Sequence, residues 1–564
     1  MWKKRNDYKT IAEYVIHNTG QSIEEYMLMP ECEIENLDKG TELLHKHVGK
    51  PVYVLADYDV DGISSGYEMF LGCSAAGLLP HIRFPKRFSE GYGFSDKILE
   101  EILNTTDPCL VILVDNGITA IHQVKKLKEN GYDVLIIDHH VAKNGYPCAD
   151  VIIDQSDGLK DTHKYGYTPY CAAALTLRFF EKYDARYACL DEKIHNTMKV
   201  MAGIATVADV VPMINGNRKI TKEALEIMND YNSYELSAGV KTLLCGVRQE
   251  HFTTTTIGFN IAPMLNAPGR LEDRGALLSA TLLASKDEAH AKVHFEKIRN
   301  YNEIRKRKST EQLKLALDIM KEKNMIKDDK CRCKFIVVAD EGFDKGICGI
   351  IAGKLCEKYN RPAIVMNITD GVAHGSARST DGINLVKTLN NISDCFLGYG
   401  GHAKAAGMSA NAENVDIIND RLNDMDLPVN DITDCYYDFE VREADFDAFI
   451  AEMEKYTPFG EGNPIPSVYV KNYALYPNGN SYARYMGEND IHVKLFGANS
   501  NVVAFGLSKE YKDLGEPINI SVIGQLSDNY FDGKIKAQIE AKKIKPYEKE
   551  NIFSGALNVL LADL

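Results

Sequence analysis

Eight residues in four short stretches, each read as the end of a strand, have the types and spacing to hold metal ions. "DYDVDG" supplies Asp57, Asp59 and Asp61, "LVDNG" supplies Asp115, "IDHH" supplies Asp138, His139 and His140, and "VADVVP" supplies Asp209. Carboxylates joined by one or two imidazoles suit two hard-to-borderline divalent cations, Mn²⁺ or Mg²⁺, rather than a thiolate zinc site. Two such ions ~3.5–4 Å apart can activate a water and stabilise the leaving oxygen of a phosphoester. A competing pattern runs through the first stretch. Asp57, Asp59, Asp61, Gly62 and Glu68 fill D-x-D-x-D-G-x5-E, the signature of a calcium-binding EF-hand loop. That loop needs a helix on both sides. Here "KPVYVLA" precedes it, an apolar run rich in Val and Tyr that reads as a buried strand.

The elements that must position these residues follow from the same runs. "VYVLAD", "CLVILVD", "DVLIID" and "DVIID" each end on an aspartate and alternate with helical stretches across 51–210. That repetition predicts a doubly wound parallel sheet with acids along its carboxyl edge, where open α/β sheets bind ligands. A strand-terminal Asp also serves often as the cap of the next helix, so no single one is decisive. A long helix is expected from "SKDE" (Ser285 to Glu288, a capping box) to about Met325. Residues 291–330 carry 12 Lys/Arg against 7 Asp/Glu, with "IRKRK" at 304–308. Most of these would be a solvated face; the functional alternative is a basic bridge along which a polyanion passes. "KFIVVAD" and "PAIVMNI" read as further strands around the helix "GICGIIAGKLCEKY". Residues 435–545 turn to short alternating strands with turn signals such as "PNGN" and "YFDGK", the pattern of a small barrel of the OB type.

With 564 residues the chain exceeds one core. It is 45% hydrophobic and 26% charged, as ordinary globular proteins are. Its thirteen cysteines include no CxxC pair, which suits free thiols in a reducing compartment. No run approaches the ~18 apolar residues of a membrane span, and "MWKKRNDYKTIAEYVIH" has no signal-peptide core, so a cytoplasmic location is expected. A net charge of −15 argues against a non-specific nucleic-acid coat protein but not against a nuclease whose carboxylates hold metal.

In order, "DYDVDG", "LVDNG", "IDHH" and "VADVVP" resemble the four motifs of the DHH phosphoesterase superfamily. "LNAPGRLED" (265–273), "GSARST" (375–380) and "GYGGHAKAAG" (398–407) resemble motifs of the RecJ-type single-strand-specific exonucleases, the last being the mark of the DHHA1 domain. "TPFGEGNPIPSV" (457–468) looks like the opening of the RecJ OB domain. The resemblance spans about residues 50 to 545. It departs from RecJ habit at Pro268, where Ala is common, at Phe343-Asp344, where Trp-His is common, and at Phe531-Asp-Gly, where Trp-x-Gly stands late in the OB domain. Related pyrophosphatases carry a His where this chain has Leu55.

The resemblance implies that Asp59 and Asp61 hold one ion each with Asp57 as helper. Asp115 would bridge the two ions, and His139 and Asp209 would complete the second site. His140 would face the phosphate, and Asp138 would anchor the His pair by hydrogen bonding. Arg270 would stabilise the scissile phosphate. Arg87, Ser376 and Arg378 would cradle a 5′-phosphate, since Arg offers a bidentate fork. Asn266, Gly400, Gly401 and His402 would add substrate contacts, the glycines by letting backbone N–H groups approach an anion. Read without its company, "GGHAKAAG" is a tight helix-entry turn.

The expected architecture is a helical segment at 1–50, a DHH catalytic domain at 51–284 and a connecting helix at 285–329. A DHHA1 domain at 330–430, an OB domain at 431–547 and a tail at 548–564 follow. The expected activity is 5′→3′ hydrolysis of single-stranded DNA to 5′-mononucleotides in DNA repair or recombination, with RNA as the alternative strand. A phosphodiesterase on short RNA or cyclic dinucleotides is the competing enzyme, and a RecJ-like replication scaffold the non-enzyme. The expected enzyme is a monomer, with a single-strand-binding protein or helicase as partner.

Overall fold

Strand side chains alternate between faces. In β1 (Pro51–Ala56), Val52, Val54 and Ala56 enter one apolar cluster, and Tyr53 and Leu55 enter another on the opposite face. Both faces are therefore covered, which is why the runs read as unbroken apolar stretches. The computed structural model describes residues 2–142, 145–156, 165–328, 330–428, 435–531 and 534–548. It divides into two units: Pro30–Ile432, and Met1–Met29 together with Thr433–Leu564.

In the larger unit, β1 lies inside a five-stranded parallel sheet with β2 (Leu79–Arg83), β3 (Leu110–Val114), β4 (Asp133–Asp138) and β5 (Val151–Asp154), in the order β2-β1-β3-β4-β5. Helices α1 (Val60–Ala75), α2 (Ala172–Tyr187) and α3 (Glu192–Ala208) cover one face through Ile63, Met69, Phe179 and Met201. Ile98, Ile102, Val124 and Leu127 cover the other. Fully burying such a side chain contributes about 1.5–3 kcal/mol. The strand order changes direction at β1 and β3, the place where doubly wound sheets bind ligands.

A continuous helical run from Thr254 leads through a π-helical turn, Ile257–Ile261, into α4 (Ala262–Leu271). The connecting helix, α5 (Glu288–Glu322), starts later than expected. Its N-cap is Asp287, whose Oδ1 accepts from the His290 N–H at 3.0 Å, rather than Ser285. The second sheet holds β6 (Ile336–Asp340), β7 (Ala363–Thr369), β8 (Val372–Arg378), β9 (Gly398–Gly401) and β10 (Ala405–Asn411), ordered β9-β10-β8-β7-β6, with α6 (Cys348–Tyr359) between β6 and β7. The segment "GGHAKAAG" is thus a strand hairpin and not a helix entry.

The smaller unit is a seven-stranded sheet. Its strands are β11 (Phe439–Glu440), β12 (Ser467–Ala474), β13 (Ala483–Met486), β14 (His492–Phe496), β15 (Asn501–Ala504), β16 (Asn519–Phe531) and β17 (Lys534–Pro546), in the order β11-β12-β16-β17-β15-β14-β13. Among the described residues no ladder joins β11 to β13, so the expected barrel is an open sheet. The segment 1–50 is not one element. Residues 2–29 belong here: Trp2–Lys4 pairs in parallel with Cys435–Tyr437, and Tyr8, Ile11, Tyr14 and Tyr26 enter the OB core. The Asn463 amide donates to the Tyr26 hydroxyl at 2.7 Å inside that core. Residues 37–45 instead form a helix on α2 and β5. The expected tail from 549 on and the Asp532–Gly533 turn lie outside the described residues.

Candidate active site

Each acidic stretch is shaped by a local backbone requirement. Asp59 caps α1, accepting from the Asp61 and Gly62 N–H groups at 3.0 and 3.2 Å. A Cβ on Gly62 would meet the Asp57 carbonyl oxygen at 2.2 Å, so the motif's glycine follows from close approach. α1 begins at Val60, which puts Asp61 and Glu68 on a helix and excludes the EF-hand loop. After β3, Asp115 adopts φ 57°, a region that Asp tolerates. Gly117 follows at φ 106°, where a Cβ would strike Leu113. Between them Asn116 donates to the Leu55 and Val114 carbonyls and ties β1 to β3.

The side chains converge. His139 Nε2 lies 3.2 Å from Asp115 Oδ1, 3.6 Å from Asp61 Oδ2 and 3.7 Å from Asp209 Oδ2. Asp57, Asp59 and Asp115 form one ligand group, Asp61, His139 and Asp209 a second, and Asp115, His139 and His140 a third, with donor atoms inside 4.8 Å in each. Asp115 is thus shared between the first and third groups. Asp209 does not come from a strand end, as its stretch suggested, but from the C-cap of α3. Asp154, last of the four strand-terminal aspartates, accepts from Tyr146 and Ser156 and stays out of the cluster. Asp61 is pinned by the N-terminus of α2, accepting from the Ala172 and Ala173 N–H groups at 2.7 and 2.8 Å.

Burial and mutual repulsion hold Asp57, Asp115 and Asp209 well above the usual carboxylate range. Asp57 Oδ1 is buried without a hydrogen-bond partner. Crowded, desolvated acids with an orphaned oxygen are what a divalent-cation site requires, so the donor set fits Mn²⁺ or Mg²⁺. The two imidazoles differ. Burial and the neighbouring His140 lower His139, leaving it neutral and able to coordinate. His140 is raised to about 9, because its 2.8 Å bond to Asp138 outweighs the cost of burial. Asp138 in turn falls to about 2, burial being overridden by His140, and it also accepts from the His139 and Ile118 N–H groups. A protonated imidazole has no lone pair to ligate with, so His140 presents a cation to the cleft.

The opposite wall is cationic. Arg270, at the end of α4, is lowered to about 9 by burial and by Arg87, Arg378 and Arg305, with Asp59 opposing. It remains charged at neutral pH. Its Nη1 donates to the Gly346 carbonyl at 3.4 Å, and a Cβ on Gly346 would collide with the Arg270 carbonyl. Arg87 sits 4.8 Å over the Tyr58 ring. Its loop is fastened by Asp273, which accepts from the Phe88 and Ser89 N–H groups at 2.7 and 3.2 Å. Ser376 and Arg378 share a face of β8 and both abut Gly349 at the start of α6, whose first turn lacks a side-chain cap. Ser376, Gly407 and Gly400 are aligned across β8, β10 and β9. Gly401 has φ 146°, and a Cβ there would meet the Ala405 carbonyl at 2.3 Å. The His402 ring lies 6.2 Å from that of His140. Asn266, one turn before Arg270, has a buried Oδ1 without a partner.

Sequence reading missed two neighbours of this cleft. Tyr92 donates to the Asp115 carbonyl at 3.0 Å and touches His140, though its stretch "FPKRFSEGYGF" pointed only to Arg87. Arg305 is the residue of the basic helix that joins the guanidinium cluster; Arg299, Lys306, Arg307 and Lys321 are paired with acids three or four residues away.

Known proteins share the domains of this chain. The DHH family N-terminal domain matches residues 51–208, the DHHA1 domain 333–425 and the RecJ OB domain 437–543. The chain is 31% identical over 506 residues to the single-stranded-DNA-specific exonuclease RecJ of Bacillus subtilis, covering 87% of this chain and 61% of that relative's length. It is 25% identical to RecJ of Haemophilus influenzae, with 88% of each chain covered. The structure of RecJ from Thermus thermophilus in complex with Mn²⁺ superposes with a TM-score of 0.75 at 24% identity, over 95% of this chain and 76% of that one. A crystal structure of exonuclease RecJ bound to manganese gives 0.58 at 26% identity, over 70% and 94%. With the four acidic motifs in order, one carboxylate cleft and all three domain types, this protein belongs to the DHH/DHHA1 family as a RecJ-type member.

Proposed function

We propose that this chain is a metal-dependent 5′→3′ exonuclease that acts on single-stranded DNA and releases 5′-mononucleotides. The observation that carries the reading is the opposition, within one unit, of the Asp57–Asp59–Asp61–Asp115–His139–Asp209 cluster to the guanidinium of Arg270. Two Mn²⁺ or Mg²⁺ ions held there would activate a water and stabilise the leaving oxygen of a phosphodiester. Asp59 and Asp61 would each hold one ion with Asp57 in support, Asp115 would serve both, and His139 and Asp209 would complete the second. Arg270 and the protonated His140 neutralise the phosphate whose ester is cut. Asp138 keeps His140 charged and aimed.

Polarity comes from the far end of the cleft. Arg87, Ser376 and Arg378, with the start of α6 and the β9–β10 glycines, accept a terminal 5′-phosphate, and His402 and Asn266 contact the strand beside it. The OB unit adds affinity for long single strands by stacking and phosphate contact. The setting is DNA repair or recombination in the cytoplasm, as a monomer working beside a single-strand-binding protein or helicase. No helix among the described residues is long and apolar enough to cross a membrane, which is compatible with that setting. The test is purified protein with Mn²⁺ on 5′- and 3′-labelled single strands of DNA and RNA, followed by product sizing. Mononucleotides from the 5′ end of DNA are expected; products from the 3′ end, or internal cuts, would replace the reading.

A further inference from the structure

Phe259 is the most exposed large apolar side chain among the described residues, at 78% of its surface, and it lies in their one π-helical turn. Such turns are rare and recur at functional sites. The turn packs on the end of α3: a Cβ on Gly258 would sit 3.9 Å from Val207 Cγ1, two residues before the metal-site candidate Asp209. Val210, directly after Asp209, is held at φ 59° and is 62% exposed. A β-branched residue at positive φ is strained, so the surrounding fold keeps this apolar side chain turned outward beside the ligand.

Phe259 also has a defined direction. Between Ile261 and Arg270 only Pro263, Asn266 and Arg270 are not buried, and Phe259 is exposed, so the four lie on the open side of one helical run. That face carries Asn266 and Arg270. The Arg270 end meets Gly346 of the DHHA1 side, which carries the residues proposed to hold the 5′-phosphate. The Phe259 end lies about 16 Å away along the axis, eleven residues at ~1.5 Å each. Because Asp209 follows Val207, which packs beside Gly258 at that end, a strand anchored by its 5′ end near Arg270 and cut at the carboxylates runs toward Phe259. Its bases have π-faces that stack on an aromatic ring whatever their sequence.

We infer that Phe259, flanked by Val210, is a stacking platform for a nucleobase of the uncut strand, a few nucleotides past the scissile phosphate, and positions the strand for successive cuts. The inference rests on the exonuclease reading, and the experiment separates the two. Wild type, Phe259→Ala and Phe259→Trp are assayed on 5′-phosphorylated oligonucleotides with one abasic nucleotide at each of the first positions in turn. Wild type should show a rise in KM of about tenfold when the abasic nucleotide occupies one position past the first. Phe259→Ala should show that raised KM on the intact strand, with kcat kept, and no further penalty at that position; Phe259→Trp should restore the wild-type pattern. An unchanged KM in Phe259→Ala, or the same abasic penalty in wild type and variant, overturns the inference. If wild type cuts no single strand, the exonuclease reading fails instead. The same oligonucleotides in fluorescence-anisotropy binding then decide the platform by whether Phe259→Ala erases the abasic penalty.

Discussion

The two walls of the cleft are both clusters of like charge, but they are assembled differently. The carboxylate wall is made mostly of short stretches, 57–61, 115–118 and 138–140, at the ends of three adjacent strands; Gly62 and Gly117 shape the first two, and Asp138 shapes the third by accepting from the His139 and His140 N–H groups. The guanidinium wall draws single residues, Arg87, Arg270, Arg305 and Arg378, from a loop, two helices and a strand. The charge of one wall suits cations and that of the other anions. Each is strained by its own repulsion, which an ion of opposite charge would relieve, and folds store preorganisation at catalytic sites in this way. Site-directed changes on the two walls should therefore fail in different ways.

The largest effect belongs to the carboxylate wall. Asp115→Ala or His139→Ala should reduce hydrolysis to background with the fold retained, because a shared ligand is lost. Near wild-type turnover in either variant, with Mn²⁺ present and circular dichroism unchanged, would sink the two-ion assignment. Asp138→Ala should cost less, about 10–100-fold, since it orients rather than ligates.

Next comes the separate OB unit. A chain limited to residues 30–432 should still cut dinucleotides while losing long single strands, because stacking and phosphate contacts contribute binding rather than chemistry. Deleting only 433–564 should leave an aggregating protein, since Tyr8, Ile11, Tyr14 and Tyr26 lose the core that buries them. Equal loss on two- and fifty-nucleotide strands would argue against this division.

On the guanidinium wall, Arg378→Ala should slow 5′-phosphorylated strands by about tenfold or more and 5′-hydroxyl strands much less. A charge-assisted hydrogen bond contributes about 1.5–3 kcal/mol, against ~1.4 kcal/mol per decade of rate. If both strands slow by the same factor, Arg378 does not read the 5′ end.

The smallest effect is on stability. Asp57, Asp115 and Asp209 are raised above their unfolded values, so over that interval the metal-free fold holds protons the unfolded chain has released. Its stability therefore falls as pH rises through the folded values. Mn²⁺ removes the repulsion, so the Tm gain on adding Mn²⁺ should grow by a few degrees as pH rises above the ordinary carboxylate range. Asp115→Asn should raise the metal-free Tm and flatten that dependence. A metal-induced gain independent of pH would show that the cluster does not bind as a charged group.

Much of the carboxylate wall was legible because its signals are local: an apolar strand, an Asp and a Gly within a few residues. Asp57, Asp59, Asp61, Asp115, Asp138, His139 and His140 could be read this way, and the sheet with them. Asp209 was collected with them while its element was misjudged, since "IATVADVVP" is apolar enough for either a strand or a buried helix. Tyr92 and Arg305 were not singled out. Their stretches are ordinary loop and solvated helix until packing brings them beside His140 and Arg270.

The sequence alone determined the parallel sheet, the ligand chemistry at its edge and the family. Those depend on period-two burial, strand-end aspartates and glycines demanded by backbone contact, all of which act over a few residues. Only the tertiary structure decided that residues 2–29 complete the OB core, that His139 is neutral while His140 is charged, and that four distant arginines crowd together. Apolar burial is non-directional, and a pKa depends on whichever charges the fold brings within a few ångströms. Neither is written in any one stretch of the chain.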